Sequence, residues 1–168
     1  QLLLGPHYAL LAKEYFGINN LIIKRNQIKR ILIYFGGVEN SIHNKVIESI
    51  SEEKYSEIIF DYIISERSKY YSYLKKIEKK IENLNVHNTQ ETLAGFILRA
   101  DLFIGAGGST SLERLCLGIP SITIILANNQ KEISENLYSD KYINLIGSEN
   151  IIKSKAISKA IDDFINKK

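Results

Sequence analysis

The chain has 168 residues, with 22 Lys and Arg against 19 Asp and Glu, a net charge of +3 and a hydrophobic content of 45%. That length supports one domain with a real core and excludes two full ones. The small, scattered positive charge argues against nucleic acid as a partner, and no apolar run reaches the ~18–20 residues of a membrane span.

Segments typical of strands and helices alternate along the chain. We predict helices at residues 6–16, 41–52, 68–84, 92–99, 111–117, 132–140 and 151–166, and strands at 29–35, 57–64, 85–87, 101–105, 121–126 and 143–145. Strands separated by single helices form right-handed βαβ units. The sequence therefore predicts an α/β, Rossmann-like three-layer αβα domain with a six-stranded parallel sheet.

The sequence contains no methionine and starts at Gln1. We therefore expect residues 1–168 to be one domain cut from a longer polypeptide. The single cysteine, Cys116, excludes an internal disulfide, and we interpret it as a small residue on the buried side of its helix. A reducing, cytosolic setting fits that composition.

A glycine-rich loop follows the fourth predicted strand, and it contains Gly105, Gly107, Gly108, Ser109 and Thr110. Ligands of parallel sheets sit at the carboxyl ends of strands. Glycines let a bulky group approach the backbone, and the start of the next helix offers free N–H groups. These features together predict a phosphate site.

Two common phosphate motifs are absent from this loop. A Walker A loop ends in Gly-Lys-Ser/Thr, but no lysine is present here. A dinucleotide fingerprint needs a third glycine, where this chain has Thr110 and Ser111, and an acidic residue ~20 positions further on, which is also missing. A magnesium-dependent NTPase and an NAD enzyme are both disfavoured.

The same loop has a purely structural interpretation. Thr110 and Glu113 have the spacing of a capping box, in which each side chain binds backbone at the helix start. Glu113 could instead accept hydrogen bonds from the two vicinal hydroxyls of a ribose. The sequence leaves these two roles open.

Two more loops follow predicted strands. Gly36 and Gly37 end the first strand, where they form a turn or border a ligand. Asn128, Asn129 and Gln130 follow the fifth strand, as an Asn helix cap or as amide contacts to a sugar or base.

The three histidines, His7, His43 and His87, form no metal spacing, and we interpret each as solvated or structural. The basic, tyrosine-rich run at residues 67–80 is interpreted as a solvated helix face. No metal and no cofactor is expected.

The segment ADLFIGAGGSTSLERLCLGIP, residues 100–120, resembles the UDP-sugar hydrolase of pseudaminic acid biosynthesis and related spore-coat polysaccharide proteins. LGPHYALL at 4–11, RILIYFGG at 30–37 and NNQ at 128–130 also match that family, so the likeness covers nearly the whole chain. The wider kin is the GT-B N-acetylglucosaminyltransferase that forms lipid II.

The resemblance implies the C-terminal half of a GT-B fold. It implies that Gly107, Gly108, Ser109 and Thr110 hold the diphosphate of UDP or a UDP-sugar. It further implies that Glu113 holds the ribose, that Gln130, with Asn129 beside it, contacts sugar or phosphate, and that Gly36 and Gly37 border the cleft. The family's catalytic histidine lies in the other half, so we expect no catalytic residue in this chain. Its partner would be an N-terminal GT-B half or a fused domain.

The sequence departs from the family pattern after Gly37, where Val38-Glu39 replaces the usual Ser-Asp, and at Asn128, where an acidic residue is common. These departures bear on the sugar rather than on the nucleotide. The expected function is the UDP-sugar-binding half of a hydrolase acting on a UDP-diacetamido-trideoxy sugar in surface-glycan synthesis. The alternatives are a glycosyltransferase C-terminal domain, a non-catalytic nucleotide-sugar-binding module fused to a sugar-activating enzyme, and a purely structural α/β domain.

Overall fold

The computed structural model describes residues 9–21, 26–37 and 39–166. Seven α-helices occur in these ranges: α1 (Glu14–Ile18), α2 (Ile42–Ile50), α3 (Tyr71–Glu78), α4 (Ala94–Arg99), α5 (Thr110–Cys116), α6 (Lys131–Ser139) and α7 (Ser154–Ile165). The same ranges contain six strands: β1 (Arg30–Tyr34), β2 (Ile59–Ile63), β3 (Leu84–His87), β4 (Leu102–Ala106), β5 (Ser121–Ile125) and β6 (Asn144–Ser148).

The six strands form one parallel sheet in the order β3-β2-β1-β4-β5-β6. This confirms the predicted Rossmann-like α/β architecture. From β1 the chain builds outward through β2 and β3, and then crosses to the other side of β1 for β4, β5 and β6. The order therefore reverses between β1 and β4, which places a topological switch point between these two strands.

Helices cover both faces of the sheet, which explains why its strands are apolar along most of their length. Ile31 and Ile33 face a core that includes Val46 of α2 and Ile157 of α7. Leu32 points to the opposite face, where it packs in a second core with Phe103 and Tyr15. Since successive side chains of a strand alternate between faces, β1 contributes to both cores.

The predicted helix at 68–84 is shorter in the structure, where α3 covers only Tyr71–Glu78. At its start, the Ser68 hydroxyl accepts a hydrogen bond from the Tyr70 N–H, a local turn that competes with helix. Beyond its end, the Asn83 amide donates to the carbonyl groups of Tyr55 and Ile58, at 2.7 and 2.6 Å. These bonds fix the turn into β3.

The predicted bounds were also wrong at both ends of the chain. The first helix is α1, Glu14–Ile18, so residues 9–13 of the prediction are not helical, and residues 6–8 lie outside the described residues. The last helix starts at Ser154 instead of residue 151, because the N–H groups of Ile151 and Ile152 turn back onto the Ser148 carbonyl. Strand β6 runs on to Ser148 and passes through Gly147, whose φ is 118°.

Cys116 is half-buried and packs against the second core, on the inner side of α5 as predicted, and its Sγ lies 3.9 Å from the Tyr15 carbonyl oxygen. Among the described helices, none has the length and apolar content needed to cross a bilayer.

Candidate functional site

Three loops come together at the carboxyl edge of the sheet. Gly36 and Gly37 follow β1, Gly107 and Gly108 follow β4, and residues 128–130 follow β5. Strands β1, β4 and β5 are neighbours, so the three loops lie side by side, with the first two flanking the switch point. This is where parallel α/β sheets bind ligands.

The turn after β1 leaves space around its backbone. Gly36 has a φ of 70°, in the left-handed region that favours glycine, and a Cβ built on Gly36 or Gly37 would have no neighbour within 4 Å. Close packing therefore requires neither glycine, whereas the positive φ of Gly36 favours glycine at that position of the turn.

The two central glycines of the loop after β4 differ from each other. Gly107 is buried, and a Cβ there would collide with the Ser134 hydroxyl of α6. Gly108 is half-buried, and the nearest atom to a Cβ there is Nε2 of Gln130, at 3.7 Å. Gly107 is therefore needed for packing, whereas Gly108 presents backbone towards open space and Gln130.

The Gln130 side chain is fixed by the backbone beside it. Its Oε1 accepts a hydrogen bond of 3.0 Å from the Leu126 N–H, at the end of β5. This bond turns the donor atom Nε2 towards Gly108. The structure thus brings together two residues that the sequence placed 22 positions apart, and it supplies an amide donor next to the glycine-rich loop.

Asn129 is placed differently from Gln130. It is exposed, and it lines a surface depression of about 600 Å³ together with Leu112 of α5, Ile133 of α6 and Tyr142. The predicted Asn cap is wrong: residues Asn128–Gln130 form a 3-10 turn after the extended Ala127, without a side-chain capping bond.

The capping box predicted for Thr110 and Glu113 is not formed. The residue before α5 is Ser109, which makes no side-chain capping bond, and Glu113 does not reach back to the helix start. Instead, Oε2 of Glu113 accepts a hydrogen bond of 2.9 Å from the Tyr15 hydroxyl of α1. The carboxylate is therefore directed away from the helix cap.

A pocket of about 120 Å³ surrounds Glu113. Its lining residues are Ala12, Tyr15, Tyr34, Gln90, Glu91, Thr92, Leu93, Thr110 and Glu113. Burial raises the pKa of Tyr15 to about 12, with the Glu113 carboxylate adding to the effect. Burial and the Glu113 charge also raise the pKa of Tyr34. Both phenols are thus protonated at neutral pH, and the Tyr15 proton is already donated to Glu113.

Arg114 lies beneath the glycine-rich loop and is fully buried. Its Nη2 donates to the Ala106 carbonyl at 3.1 Å and to the Ser111 hydroxyl at 2.6 Å, and its guanidinium stacks 4.6 Å from the centre of the Phe103 ring. Its Nε and Nη1 have no hydrogen-bond partner among the described residues. Burial lowers the pKa of Arg114 to about 9, so the group is still a cation at pH 7.

Sequence reasoning missed Tyr15, Tyr34, Thr92 and Arg114. Tyr34 ends β1 and Thr92 follows β3, so the rule that ligands sit at carboxyl ends of strands could have indicated both. Tyr15 carries no such signal, because it meets Glu113 across 98 positions of sequence.

The histidines are structural where the chain is described. His43 is buried, and its Nδ1 lies 2.7 Å from the Tyr62 hydroxyl. His87 contacts Asp61 at 2.8 Å, a carboxylate partner that was not evident from sequence. His7 lies outside the described residues. The described part of the chain also holds no group of three His, Cys, Asp or Glu side chains arranged for a metal.

Two larger depressions lie at or near the opposite edge of the sheet. One of about 890 Å³ is lined by Lys29, Ile58 and Asp101 among others, and one of about 900 Å³ by Ser121, Tyr142 and Phe164 among others. Size alone would favour them as ligand sites. They lie away from the carboxyl ends of the central strands and lack the glycine-rich backbone, so we place the candidate site at the smaller cleft.

A comparison of sequences finds a curated relative of this chain. An uncharacterized protein of Methanocaldococcus jannaschii is 27% identical over 143 residues, which are 81% of this chain and 28% of that protein. The chain thus spans little more than a quarter of the length of its relative. No family model matches the sequence.

The fold of the chain also resembles several solved structures. The glycotransferase of kitacinnamycin superposes with a TM-score of 0.68 at 19% identity, over 84% of this chain and 36% of that one. A putative UDP-N-acetylglucosamine 2-epimerase from Listeria monocytogenes gives 0.66 at 16%, over 89% and 39%. A Medicago truncatula protein solved as a complex with UDP-glucose gives 0.62 at 14%, over 95% and 37%.

The chain has the fold of a GT-B-type Rossmann domain. The identities are too low to carry more than the fold, and the chain matches less than half of each of these three structures. Its six parallel strands and covering helices superpose on a part of each of these larger proteins.

Proposed function

We propose that this chain is the UDP-sugar-binding half of a larger GT-B-type enzyme. The observation that carries the proposal is the glycine-rich loop at the switch point, with Gln130 on one side and Glu113 on the other. A backbone donor loop, an amide and a carboxylate suit the diphosphate, sugar and ribose of one nucleotide sugar. The likeness to structures described with UDP-glucose and as a UDP-N-acetylglucosamine epimerase supports this choice of nucleotide.

In this proposal, the Gly108 backbone and the hydroxyls of Ser109 and Thr110 receive the diphosphate. Gly107 shapes the loop, because its N–H already donates to the Ile124 carbonyl. Ser109 is exposed and Thr110 half-buried, so both side chains are reachable from solvent. The Gln130 amide donates to a phosphate or sugar oxygen from beside Gly108. The cationic Arg114 below the loop offsets part of the negative charge.

Glu113 takes the ribose in this arrangement, because a carboxylate accepts two hydrogen bonds from a vicinal diol. Gly36 and Gly37 border the cleft from β1, where the backbone is open. Asn129 is further out, and we assign it to the rim of the site, where it would meet the sugar or the rest of the enzyme.

For the reaction, we propose hydrolysis of a UDP-diacetamido-trideoxy sugar, on the resemblance of residues 100–120 to the pseudaminic acid pathway hydrolase. Water would attack the anomeric carbon and UDP would leave, with the reacting histidine supplied by the part of the enzyme outside this chain. A glycosyltransferase is the second candidate, because the kitacinnamycin glycotransferase is among the structural neighbours. The two differ in the acceptor, which is water in one and a hydroxyl compound in the other.

Calorimetric titration of the chain with UDP tests the nucleotide site. CMP and ADP are titrated separately as controls: ADP differs from UDP in its base, and CMP differs in both its base and its number of phosphates. We expect saturable binding that favours UDP. Gly108→Asp should abolish it, because a carboxylate would point at the incoming phosphate from a position with room for a side chain. Gly95→Asp in α4 is the matched control, since it also has open space around its Cβ and lies outside the loop. Failure of UDP to bind at millimolar concentration would contradict the proposal.

A second assay separates the reactions. The isolated chain should release no UDP from a UDP-sugar, because the proposed reacting histidine lies outside it. The full-length protein should release UDP with water alone if it is a hydrolase, and only with an added acceptor if it is a transferase.

A further inference from the structure

Tyr15 and Glu113 form a hydrogen bond between distant parts of the chain. The Tyr15 hydroxyl lies in α1, ahead of the first strand, and donates to Oε2 of Glu113 in α5 at 2.9 Å. The tyrosine is 1% exposed and packs in the second core, so its hydroxyl is held at this position. Glu113 itself is half-buried and faces the pocket.

The direction of this bond follows from the chemistry of its two groups. A phenol O–H donates and a carboxylate oxygen accepts, so the Tyr15 proton is directed to Oε2 of Glu113. The carboxylate is therefore held by one of its oxygens, while the group as a whole still lines the pocket.

The pocket around Glu113 has the size of a fragment of a ligand. At about 120 Å³ it is well below the ~300–1,000 Å³ of a site that encloses a drug-sized molecule. Its polar lining of Tyr34, Thr92, Thr110 and Glu113 suits a small polyhydroxyl group. It also adjoins the glycine-rich loop through Thr110, as a group joined to a phosphate requires.

We infer that Tyr15 is a positioning residue that aims the Glu113 carboxylate at the vicinal diol of the ribose, and that this pair makes the site selective for ribonucleotides over 2′-deoxyribonucleotides. The inference rests on the proposed function and adds to it the residue that sets the sugar preference. Tyr15 touches no ligand in this role and acts through Glu113. Helix α1 thereby becomes part of the binding site, although it lies 98 positions away in sequence.

The test is a calorimetric comparison of UDP with 2′-deoxy-UDP in the wild-type chain and in Tyr15→Phe. A lost hydrogen bond to a charged acceptor weakens binding by roughly tenfold or more. We expect the wild type to prefer UDP by about that factor, and Tyr15→Phe to lower the preference by about threefold to tenfold, mostly through weaker UDP binding. Glu113→Gln should remove the preference, and adding Tyr15→Phe to it should change nothing further.

Tyr55→Phe is the matched control. Tyr55 is also 1% exposed and its hydroxyl also contacts a carboxylate, Asp162 at 2.8 Å, but it precedes β2 at the opposite edge of the sheet. This variant should lose stability and keep the wild-type preference for UDP. If Tyr15→Phe weakens both nucleotides equally, the residue is merely structural and the inference fails while the proposed function stands. If the wild type binds neither nucleotide, both fail.

Discussion

Gly107 in the loop after β4 lies directly against the Ser134 hydroxyl of α6, whereas its neighbour Gly108 has only the Gln130 amide near it, with 3.7 Å from a built Cβ to Nε2. Ser134 is fully buried. One glycine thus lets a helix approach the loop, and the other leaves the loop open towards the cleft. Substituting each in turn separates the structural from the functional part of the motif.

We expect Gly107→Ala to lower the free energy of unfolding by about 1–3 kcal/mol, because the added methyl overpacks the contact with α6. Gly108→Ala should change the free energy of unfolding by less than about 1 kcal/mol, because its methyl group would make only an ordinary van der Waals contact. Urea denaturation of the two variants measures both values. Equal destabilisation by the two substitutions would contradict the structural difference between the glycines.

Gly108→Ala should nevertheless weaken UDP binding, by roughly tenfold, if the phosphate approaches this backbone as proposed. The measurement is a UDP titration under conditions where the variant is fully folded. Gly95→Ala is the control, because its Cβ would also enter open space, in α4. Wild-type affinity in Gly108→Ala would place the ligand elsewhere on the edge.

The sheet could be predicted from the sequence because each strand is marked by its own short run of apolar residues. Apolar strands such as Ile31–Ile33 and Ile122–Ile125 alternate with single helices, and that alternation leaves few topologies. Helix ends were less predictable. Ser68 forms a local turn before α3, and Asn83 fixes the turn after it. Nothing in the apolar spacing indicates those bonds.

Sequence alone could predict only those site residues that lie in loops directly after a strand. Gly108 and Gln130 were both expected at the site, since each follows a strand, and the structure brings them together. The sequence leaves two roles open for Glu113: the Thr-x-x-Glu spacing indicates a helix cap, whereas the family resemblance implies a ribose ligand. Its true partner, Tyr15, could not be found, because the bond depends on how α1 packs on the sheet.

We expect the positive charge of Arg114 to strengthen the binding of the UDP diphosphate. It is fully buried, and its own pKa is lowered by that burial, yet it is a cation at neutral pH beneath the loop. Arg114→Met removes the charge and should weaken UDP by about tenfold while changing the affinity for uridine little, because uridine carries no phosphate. Calorimetry with both ligands measures the difference.

Arg114→Lys is the control for that experiment, since it keeps a positive charge but loses the planar guanidinium that stacks on Phe103. It should retain more of the UDP affinity than Arg114→Met does. If Arg114→Met weakens UDP and uridine by the same factor, the residue only shapes the loop through Ala106 and Ser111.

We expect Asp61 to make the stability of the fold sensitive to acid. Burial by itself would raise the pKa of this carboxyl, but hydrogen bonds from His87 and Arg30 and the charge of Arg99 hold the pKa below its usual value. The stability from this group is therefore present above the ordinary pKa of 3.8 and is lost as the pH falls through the lowered folded value.

Asp61→Asn should lower the free energy of unfolding by about 1–3 kcal/mol at pH 7, a value below that of a fully buried pair because the basic partners are partly exposed. Denaturation curves at pH 7 and at steps down to pH 3 should show a smaller loss of stability for the variant than for the wild type. Parallel pH curves for the two proteins would assign the acid sensitivity to other carboxyls.

We expect the ionisation of Tyr55 to lower the stability of the fold at high pH. Its hydroxyl lies 2.8 Å from Oδ1 of Asp162 and 3.0 Å from the Ser158 carbonyl oxygen, so it ties the segment before β2 to α7. Burial, and then the hydrogen bond to Asp162, raise the pKa of Tyr55 above its ordinary value of 10.0. The unfolded chain releases this proton first, so stability is full below about pH 10 and falls as the pH rises towards the folded pKa.

Tyr55→Phe should cost about 1–2 kcal/mol at pH 7 through the lost hydrogen bonds, and should make stability fall less steeply between about pH 9 and 11. Urea denaturation across that range measures the slope. Tyr138→Phe is the control, because Tyr138 is 53% exposed and its substitution should leave the slope as in the wild type. An unchanged slope in Tyr55→Phe would mean that its phenol ionises alike in the folded and unfolded chain, and that the contact with Asp162 does not hold α7 in solution.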